Sequence, residues 1–189
     1  MSRLDLIVGP NGAGKTTLYE CVIAPDRPGL PFINADRIAS DRFVGREVEQ
    51  AYAAARIAAT ARNALIDARI DFCTETVFSH ESKVSLVEAA VAAGYDVVLH
   101  VVMIPFALSG PRVVARVASG GHDVPAEKLG ARYARLWPLV AAALPRCHRG
   151  VFYDNASDDG PREVASYRYG VADYPPRWPR WVPEPLLAL

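Results

Sequence analysis

The stretch GPNGAGKT at residues 9–16 decides the fold class that this chain is expected to adopt. It matches the pattern GxxxxGK[ST] at every fixed position, and its glycines let successive backbone N–H groups turn inward around phosphate oxygens. An apolar run at 4–8 predicts a buried strand before the loop, and residues 16–23 predict a helix after it. The dipole of that helix adds to the attraction for an anion. Together these features predict a loop that binds the phosphates of a purine nucleoside triphosphate.

Strand-like and helix-like segments alternate along the rest of the chain. Further strands are predicted at 32–33, 71–76, 96–104 and 151–153, with a weak edge strand at 163–169, and further helices at 46–69, 79–93, 109–118 and 125–144. This alternation predicts an α/β fold, a three-layer sandwich of the P-loop NTPase and kinase type with a central, mainly parallel sheet. Ligands of such sheets bind beyond the carboxyl ends of the strands.

The chain is expected to divide into a P-loop domain at 1–170, with a helical lid at about 109–140, and a C-terminal tail at 171–189. The tail is rich in proline and carries Trp178 and Trp181, so it is not expected to form a helix or a central strand. We therefore predict that the tail is a strap whose tryptophans pack onto the domain. A segment that binds a partner is the alternative.

Charge and cysteine usage narrow the class of protein. The 21 basic and 21 acidic side chains cancel, which favours neither a nucleic-acid partner nor a membrane surface. The longest uncharged stretch, 97–111, is too short to span a bilayer. Cys21, Cys73 and Cys147 lie far apart without a CxxC pair, which is typical of reduced cysteines in a cytoplasmic protein.

The phosphate loop supplies the first candidate site residues. Contacts to the nucleotide are expected from Gly12, Ala13, Gly14, Lys15, Thr16 and Thr17. The Lys15 ammonium would reach the β- and γ-phosphates, and the Thr16 hydroxyl would ligate Mg²⁺. The loop alone does not distinguish a kinase from an ATPase or a GTPase. The apolar strand at 96–104 ends without a carboxylate and no NKxD-type motif occurs, which favours a kinase over a nucleotide-dependent switch or binding module.

A kinase needs a carboxylate that orients and deprotonates the attacking hydroxyl. Asp36 follows the short strand at 32–33, where the γ-phosphate is expected, and is therefore the candidate general base. The alternative is that Asp36 caps the N-terminus of a following helix. Asp41 is a weaker competitor for the role of base.

A second acidic position interrupts the strand at 71–76. Glu75 is expensive to bury unless it faces a site, so Glu75 and Thr76 are candidates to hold acceptor hydroxyls or a water on Mg²⁺. The alternative is a solvated strand end. If the strand predictions hold, one edge of the sheet collects the polar residues that follow strands, which are Asn34, Asp36, Glu75, Thr76, Asp154 and Asn155.

Arginines cluster on the two helices of the predicted lid. Arg112 and Arg116 lie four residues apart and therefore on one helix face, while Arg132 and Arg135 lie on the next helix. The Gly120-Gly121 turn between the helices is a candidate hinge, so the segment predicts a lid that closes on phosphates. The alternative is a solvated charged face. His122 is expected to be structural.

Five blocks of sequence together resemble one known family. They are GPNGAGKTT (9–17), FINADRIA (32–39), ETVFS (75–79), RVASGGHDVP (116–125) and YDNAS (153–157). In this order and content they are similar to the zeta-toxin family of P-loop kinases. The resemblance covers roughly residues 3 to 170 and implies a phosphotransferase that uses ATP and Mg²⁺. The best-known activity of the family is phosphorylation of the 3′-hydroxyl of the amino sugar in UDP-N-acetylglucosamine.

The resemblance also implies roles for individual positions. Lys15 and Thr16 would hold ATP and Mg²⁺, and Asp36 would be the general base. Glu75 and Thr76 would contact the acceptor, and Asn34 and Arg37 are further candidate acceptor contacts. Arg116 and Arg132 would be the catalytic lid arginines, although Arg112 and Arg135 compete for that role. A small-molecule acceptor is implied, either a UDP-sugar or another compound such as a nucleoside or an antibiotic, and an antitoxin protein is left open as a partner.

Overall fold

The computed structural model describes residues 1–118 and 125–189 and places a seven-stranded sheet at the centre of the molecule. Its strands are β1 (Ser2–Val8), β2 (Phe32–Ile33), β3 (Phe72–Thr76), β4 (Tyr95–Met103), β5 (Arg149–Asp154), β6 (Arg162–Arg168) and β7 (Val171–Ala172). They are ordered β2-β3-β1-β4-β5-β6-β7, and the first five in this order pair in parallel while β6 and β7 pair antiparallel. The predicted α/β fold with a mainly parallel sheet is confirmed.

Helices connect the parallel strands. They are α1 (Lys15–Leu18), α2 (Ala24–Asp26), α3 (Ala35–Arg42), α4 (Ala51–Asp67), α5 (Ser82–Ala92), α6 (Phe106–Ala118) and α7 (Ala126–Ala143). A π-helical turn, Tyr19–Ile23, joins α1 to α2. Helix α3 was not predicted from the sequence as a separate element. Within the described ranges no helix combines the length and the apolar character that a membrane crossing needs.

The central strand β1 is buried on both faces from residue 4 to residue 8, which explains why this part of the strand is apolar except for Asp5. Leu4 and Leu6 contribute to the larger core cluster, and Ile7 contributes to a second cluster. The register aligns Val8 with Thr76 of β3 on one side and with Val101 of β4 on the other. The phosphate loop after β1 therefore emerges at the same edge as the polar end of β3.

The C-terminal tail packs onto the domain, as expected for a strap. Trp178 and Trp181 pack against the larger core cluster, and Leu186 is fully buried. The ring of Trp178 meets Phe152 edge to face with centroids 5.3 Å apart. The edge strand β7 lies just beyond the boundary at residue 170 that the sequence suggested, so the sheet continues into the first residues of that tail.

One buried carboxylate lies in the middle of β1. Asp5 is fully buried and accepts hydrogen bonds from Arg3 (2.6 Å), Arg27 (2.8 Å) and His100 (2.9 Å). Burial alone would raise the pKa of Asp5, but the hydrogen bonds and charges of His100 and Arg3 lower the pKa to about 2. The network lets an acidic residue occupy a core position of the central strand.

The network predicts a specific loss of stability in acid. The pKa of Asp5 is lower in the folded chain than its ordinary value of 3.8, so the stabilisation is complete above about pH 4 and is lost as the pH falls toward 2. The shift corresponds to about 2 kcal/mol. We expect Asp5→Asn to lower the free energy of unfolding at pH 7 by about that amount and to flatten its dependence on pH between 4 and 2. Urea unfolding across this pH range measures both effects. The exposed Asp67→Asn is the control, and an equal acid dependence in wild type and Asp5→Asn would contradict the prediction.

Candidate active site

The phosphate loop is held in shape from β5 and from its own glycines. Gly14, at the N-terminus of α1, adopts a left-handed conformation with φ +85°. A Cβ there would lie 2.6 Å from Nδ2 of Asn155, which donates a hydrogen bond to the carbonyl of Ala13 at 2.8 Å. Glycine is therefore required both by the backbone angle and by the close approach of Asn155. The position of Asn155 after β5 agrees with the sheet edge that the sequence predicted.

Helix α6 supports the same loop from the other side. The Ser109 hydroxyl donates to the carbonyl of Asn11 at 2.8 Å. Arg112 donates to the carbonyls of Asn155 (2.8 Å) and Ala156 (3.4 Å). The guanidinium of Arg112 is thus already engaged with backbone, which makes it a brace between α6 and the end of β5.

Lys15 and Thr16 start α1 and face acidic groups. Nζ of Lys15 donates to the carbonyl of Pro10 at 3.0 Å. Burial lowers the pKa of Lys15, the charges of Glu75 and Asp36 oppose that shift, and the charge of Arg116 adds to it. Oγ1 of Thr16 donates to Oε2 of Glu75 at 2.9 Å. The hydroxyl expected to ligate Mg²⁺ therefore lies beside a carboxylate from the neighbouring strand β3.

A cleft of about 640 Å³ opens above the loop and brings together most of the predicted site residues. Its walls include Gly12, Ala13, Gly14, Lys15, Thr16, Thr17, Asn34, Asp36, Glu75, Thr76, Arg112, Arg116 and Arg132. This volume lies within the range of roughly 300–1,000 Å³ that is common for small-molecule sites. The predicted convergence is therefore present for the residues that follow β2 and end β3, whereas Asp154 and Asn155 after β5 do not line the cleft.

Asp36 lines this cleft because another residue caps its helix. Oδ1 of Asn34 accepts hydrogen bonds from the backbone N–H groups of Asp36 (2.7 Å) and Arg37 (3.2 Å), so Asn34 is the N-cap of α3. The alternative that Asp36 is the cap is wrong. The Asp36 carboxylate is 61% exposed and lies 3.8 Å from Nη1 of Arg116. Asp41, the weaker competitor, is exposed and lies outside the cleft lining.

Arg37 is not brought together with the other predicted acceptor contacts. Its guanidinium pairs with Glu20 at 2.6 Å and lies 4.9 Å from the ring centre of Phe32, which stacks on Tyr19. The residue does not line the cleft. A contact from Arg37 to an acceptor stays a prediction, and it would require the side chain to leave Glu20.

The structure separates the four arginines of the predicted lid. Arg116 and Arg132 line the cleft, Arg112 lines it while bracing the loop, and Arg135 is exposed and does not line it. The second half of α7 belongs to the core, since Trp137 is almost fully buried there. The candidate hinge at Gly120-Gly121 and His122 lie outside the described residues.

Three basic cleft residues were missed in the sequence, namely the exposed Lys128 of α7 and two residues that are more deeply placed. Arg62 of α4 and Lys83 of α5 both line the cleft, and Arg62 is buried. A signal for Arg62 was available, because it continues a stripe of small or apolar residues with helical spacing, Ala54, Ala58 and Ile66. A cation in such a stripe indicates a site. Lys83 carries no comparable signal, since a lysine in the first turn of a helix is usually solvated.

Comparison with solved structures shows the same fold in two other protein systems. The native AvrRxo1-ORF1:-ORF2 complex matches with a TM-score of 0.73 and 17% identity, over 92% of this chain and 60% of that chain. A structure of AvrRxo1-ORF1:-ORF2 with ATP matches with a TM-score of 0.72, 16% identity and the same coverage of 92% and 60%. The PezAT chromosomal toxin-antitoxin system of Streptococcus pneumoniae matches with a TM-score of 0.66 and 16% identity, over 88% of this chain and 72% of that chain. This chain thus spans 60% of the length of the AvrRxo1 chain, and identities this low establish a shared fold alone.

A comparison with curated protein sequences found no match. The family model described as Zeta toxin, in contrast, matches residues 3–142. That range is well over half of the chain and contains the phosphate loop, Asp36, Glu75, Arg116 and Arg132. The chain therefore belongs to the zeta-toxin family.

Proposed function

We propose that this protein is an ATP- and Mg²⁺-dependent kinase that phosphorylates a hydroxyl of a small acceptor, and that the acceptor is UDP-N-acetylglucosamine. The observation that carries the kinase proposal is the position of Asp36. A carboxylate that is not used as a helix cap lines the same cleft as Lys15 and the Thr16–Glu75 pair. A nucleotide switch has no need of a carboxylate in the cleft at this place, whereas a kinase does.

The residues of the loop fit both ATP and Mg²⁺. The left-handed Gly14 leads into the free N–H groups at the start of α1, and Lys15 provides the cation for phosphate oxygens. Mg²⁺ usually keeps several waters and takes one or two protein ligands with the substrate phosphates. The Thr16 hydroxyl and the Glu75 carboxylate, 2.9 Å apart, suit that requirement as ligand and holder of a metal-bound water. Bound ATP with Mg²⁺ would supply the phosphoryl group.

The proposed reaction is an in-line transfer. The acceptor hydroxyl oxygen forms a bond to the γ-phosphorus while the bond from that phosphorus to the β–γ bridging oxygen breaks, and ADP leaves. Asp36 orients the hydroxyl and takes its proton. Arg116, 3.8 Å from Asp36, and Arg132 on the opposing helix cover charge on the moving phosphoryl group. Lys15 remains on the phosphate oxygens of the nucleotide.

The family membership supports the choice of UDP-N-acetylglucosamine, and the polar end of β3 is compatible with it. Glu75 and Thr76 line the cleft beyond Asp36 and can bond sugar hydroxyls. Oδ1 of Asn34 is occupied by the helix cap, so Asn34 can offer only its amide N–H groups to an acceptor. A site built to bond a particular hydroxyl rejects analogues that lack it by about 10⁴-fold, so the selectivity among sugars is expected to be steep.

The experiment is direct phosphorylation. Purified protein is incubated with ATP, Mg²⁺ and UDP-N-acetylglucosamine, and the sugar is followed by mass spectrometry with fragmentation to locate the phosphate. We expect one added phosphate on the 3′-hydroxyl. If another hydroxyl compound, such as a nucleoside or an aminoglycoside, is phosphorylated and UDP-N-acetylglucosamine is not, the proposed kinase activity stands and this acceptor is wrong. Tight ATP binding with no acceptor phosphorylated would favour the nucleotide-dependent switch.

We further propose a protein partner of the antitoxin type and a cytoplasmic location. The first rests on the PezAT toxin-antitoxin system, whose fold this chain shares. The second rests on the proposed use of ATP and a nucleotide sugar. Co-purification of the tagged protein with products of neighbouring genes tests the partner, and inhibition of phosphorylation by the captured protein would identify an antitoxin.

A further inference from the structure

The inner face of α4 contains a cation where its pattern calls for an apolar side chain. The buried residues of this helix are Ala54, Ala58, Arg62 and Ile66, each four positions from the next. Arg62 is only 6% exposed, yet it lines the cleft. Burying a guanidinium is costly unless it is paired and hydrogen-bonded. Arg62 therefore needs a partner that offsets this cost.

The protein supplies no such partner in the ranges that the structure describes. Across residues 1–118 and 125–189, the Arg62 side chain forms no hydrogen bond, and no carboxylate oxygen lies within 4.0 Å of its guanidinium nitrogens. Burial lowers the pKa of Arg62, and no acidic neighbour acts against that shift. The guanidinium is thus desolvated without compensation from these parts of the chain.

A second cation faces the same part of the cleft. Lys83 lies in the first turn of α5, where the helix dipole favours an anion over a cation. Burial lowers the pKa of Lys83, and the charge of Arg62 lowers it further, so the two cations lie close enough to repel each other. Both the dipole of α5 and the charge of Arg62 therefore disfavour a lysine at this position.

The cleft wall beside these two cations is formed by small side chains, which leave space for a ligand. Ala51, Ala55 and Ala58 of α4 line the cleft with methyl groups, and Arg62 follows one turn further along the same helix. The segment 75–80 lines the cleft from Glu75, beside Thr16, to the residues just before α5. The cationic end of the cleft is therefore joined to the phosphate-loop end by a continuous wall.

We propose that Arg62 and Lys83 form an anion subsite that binds a phosphate group of the acceptor, apart from the phosphate loop that holds the nucleotide. The subsite rests on the proposed kinase function and deepens it, because it makes the anionic part of the acceptor a determinant of affinity. An incoming phosphate supplies the missing charge partner of Arg62 and relieves its repulsion with Lys83. Because Lys83 lies in the first turn of α5, the dipole of this helix also favours an anion there.

The test uses three acceptors that share one sugar and differ in phosphate. They are UDP-N-acetylglucosamine, N-acetylglucosamine 1-phosphate and uncharged N-acetylglucosamine. Arg62→Met keeps an unbranched apolar stem and removes the charged guanidinium. We expect it to raise KM for the two phosphorylated acceptors by about ten- to a hundredfold, the value of hydrogen bonds to a charged group, while kcat and the KM for the uncharged sugar change little. A raised KM for UDP-N-acetylglucosamine alone assigns the subsite to the phosphate on the uridine side. A raised KM for both phosphorylated acceptors assigns it to the phosphate next to the sugar.

A stability measurement separates this role from a structural one. Because replacing an unpaired buried cation with an apolar group is neutral or stabilising, the thermal midpoint of Arg62→Met is expected to equal or exceed that of wild type. Lys83→Met should show the same KM pattern, and Arg56→Met, on the exposed face of α4, should show none. Wild-type KM values in Arg62→Met would overturn the subsite and leave the kinase standing. A lower thermal midpoint together with an equal rise in KM for all three acceptors would overturn the subsite as well. If the wild-type protein phosphorylated none of the acceptors, the acceptor proposal itself would be refuted.

Discussion

Lys15→Ala is expected to abolish phosphoryl transfer while the fold survives. The variant loses the cation that covers the β- and γ-phosphates, and removal of one preorganised charge-stabilising group costs about a hundred- to a thousandfold in rate. The fold should survive because burial lowers the pKa of Lys15, so the folded chain already disfavours its charge. The thermal midpoint is therefore expected to stay at the wild-type value or rise slightly. Transfer to the acceptor and thermal unfolding are measured on the same preparation.

Lys128→Ala provides the matched control for Lys15→Ala. Lys128 lines the same cleft but is exposed in the first turn of α7, so its charge is screened by water. We expect its loss to reduce the rate by less than about fivefold, in line with the small worth of an exposed charge. Normal turnover in a folded Lys15→Ala variant would contradict the phosphate-loop assignment. Equal losses in both variants would mean that general charge, and not the position of Lys15, drives binding.

The fold was predictable because its signals are local and dense. GPNGAGKT between an apolar run and a helix determines the loop, and the glycines occur where the backbone is left-handed, as at Gly14. The alternation of apolar strands with helices then leads to a parallel sheet. Glu75 and Thr76 were placed at the correct sheet edge for the same reason, since the ends of β1 and β3 align at Val8 and Thr76.

What the sequence left open depends on contacts between distant residues. The sequence left open whether Asp36 is a base or a helix cap, and the answer appears only where Asn34 accepts both N–H groups at the start of α3. Arg37 lies next to Asp36 in the chain, but the helix directs it to Glu20 and away from the cleft. The burial of Arg62 depends on how α4 docks, which helical spacing alone does not determine.

Asp36→Asn is expected to keep ATP binding and to lose transfer. The amide retains the shape of the carboxylate but cannot accept the proton of the attacking hydroxyl, and base assistance contributes about 10²–10⁴-fold. Part of the loss would come from a misplaced hydroxyl, since a loose transition state needs only modest help from a base. The side chain is 61% exposed and does not cap α3, so the thermal midpoint should not change. The rate of acceptor phosphorylation and the affinity for ATP are measured separately.

Asp41→Asn tests whether the effect belongs to the position of Asp36 and not to the charge of α3. Asp41 lies on the same helix, is exposed and is outside the cleft, so its variant should transfer phosphate at the wild-type rate. Arg116, 3.8 Å from Asp36, offers a further comparison, because Arg116→Met should lower the rate through lost charge stabilisation while Asp36 still accepts the proton. A loss of less than about threefold in Asp36→Asn, well short of the range for a general base, would show that Asp36 is a spectator in the cleft. A larger loss in Asp41→Asn than in Asp36→Asn would transfer the role of base to Asp41.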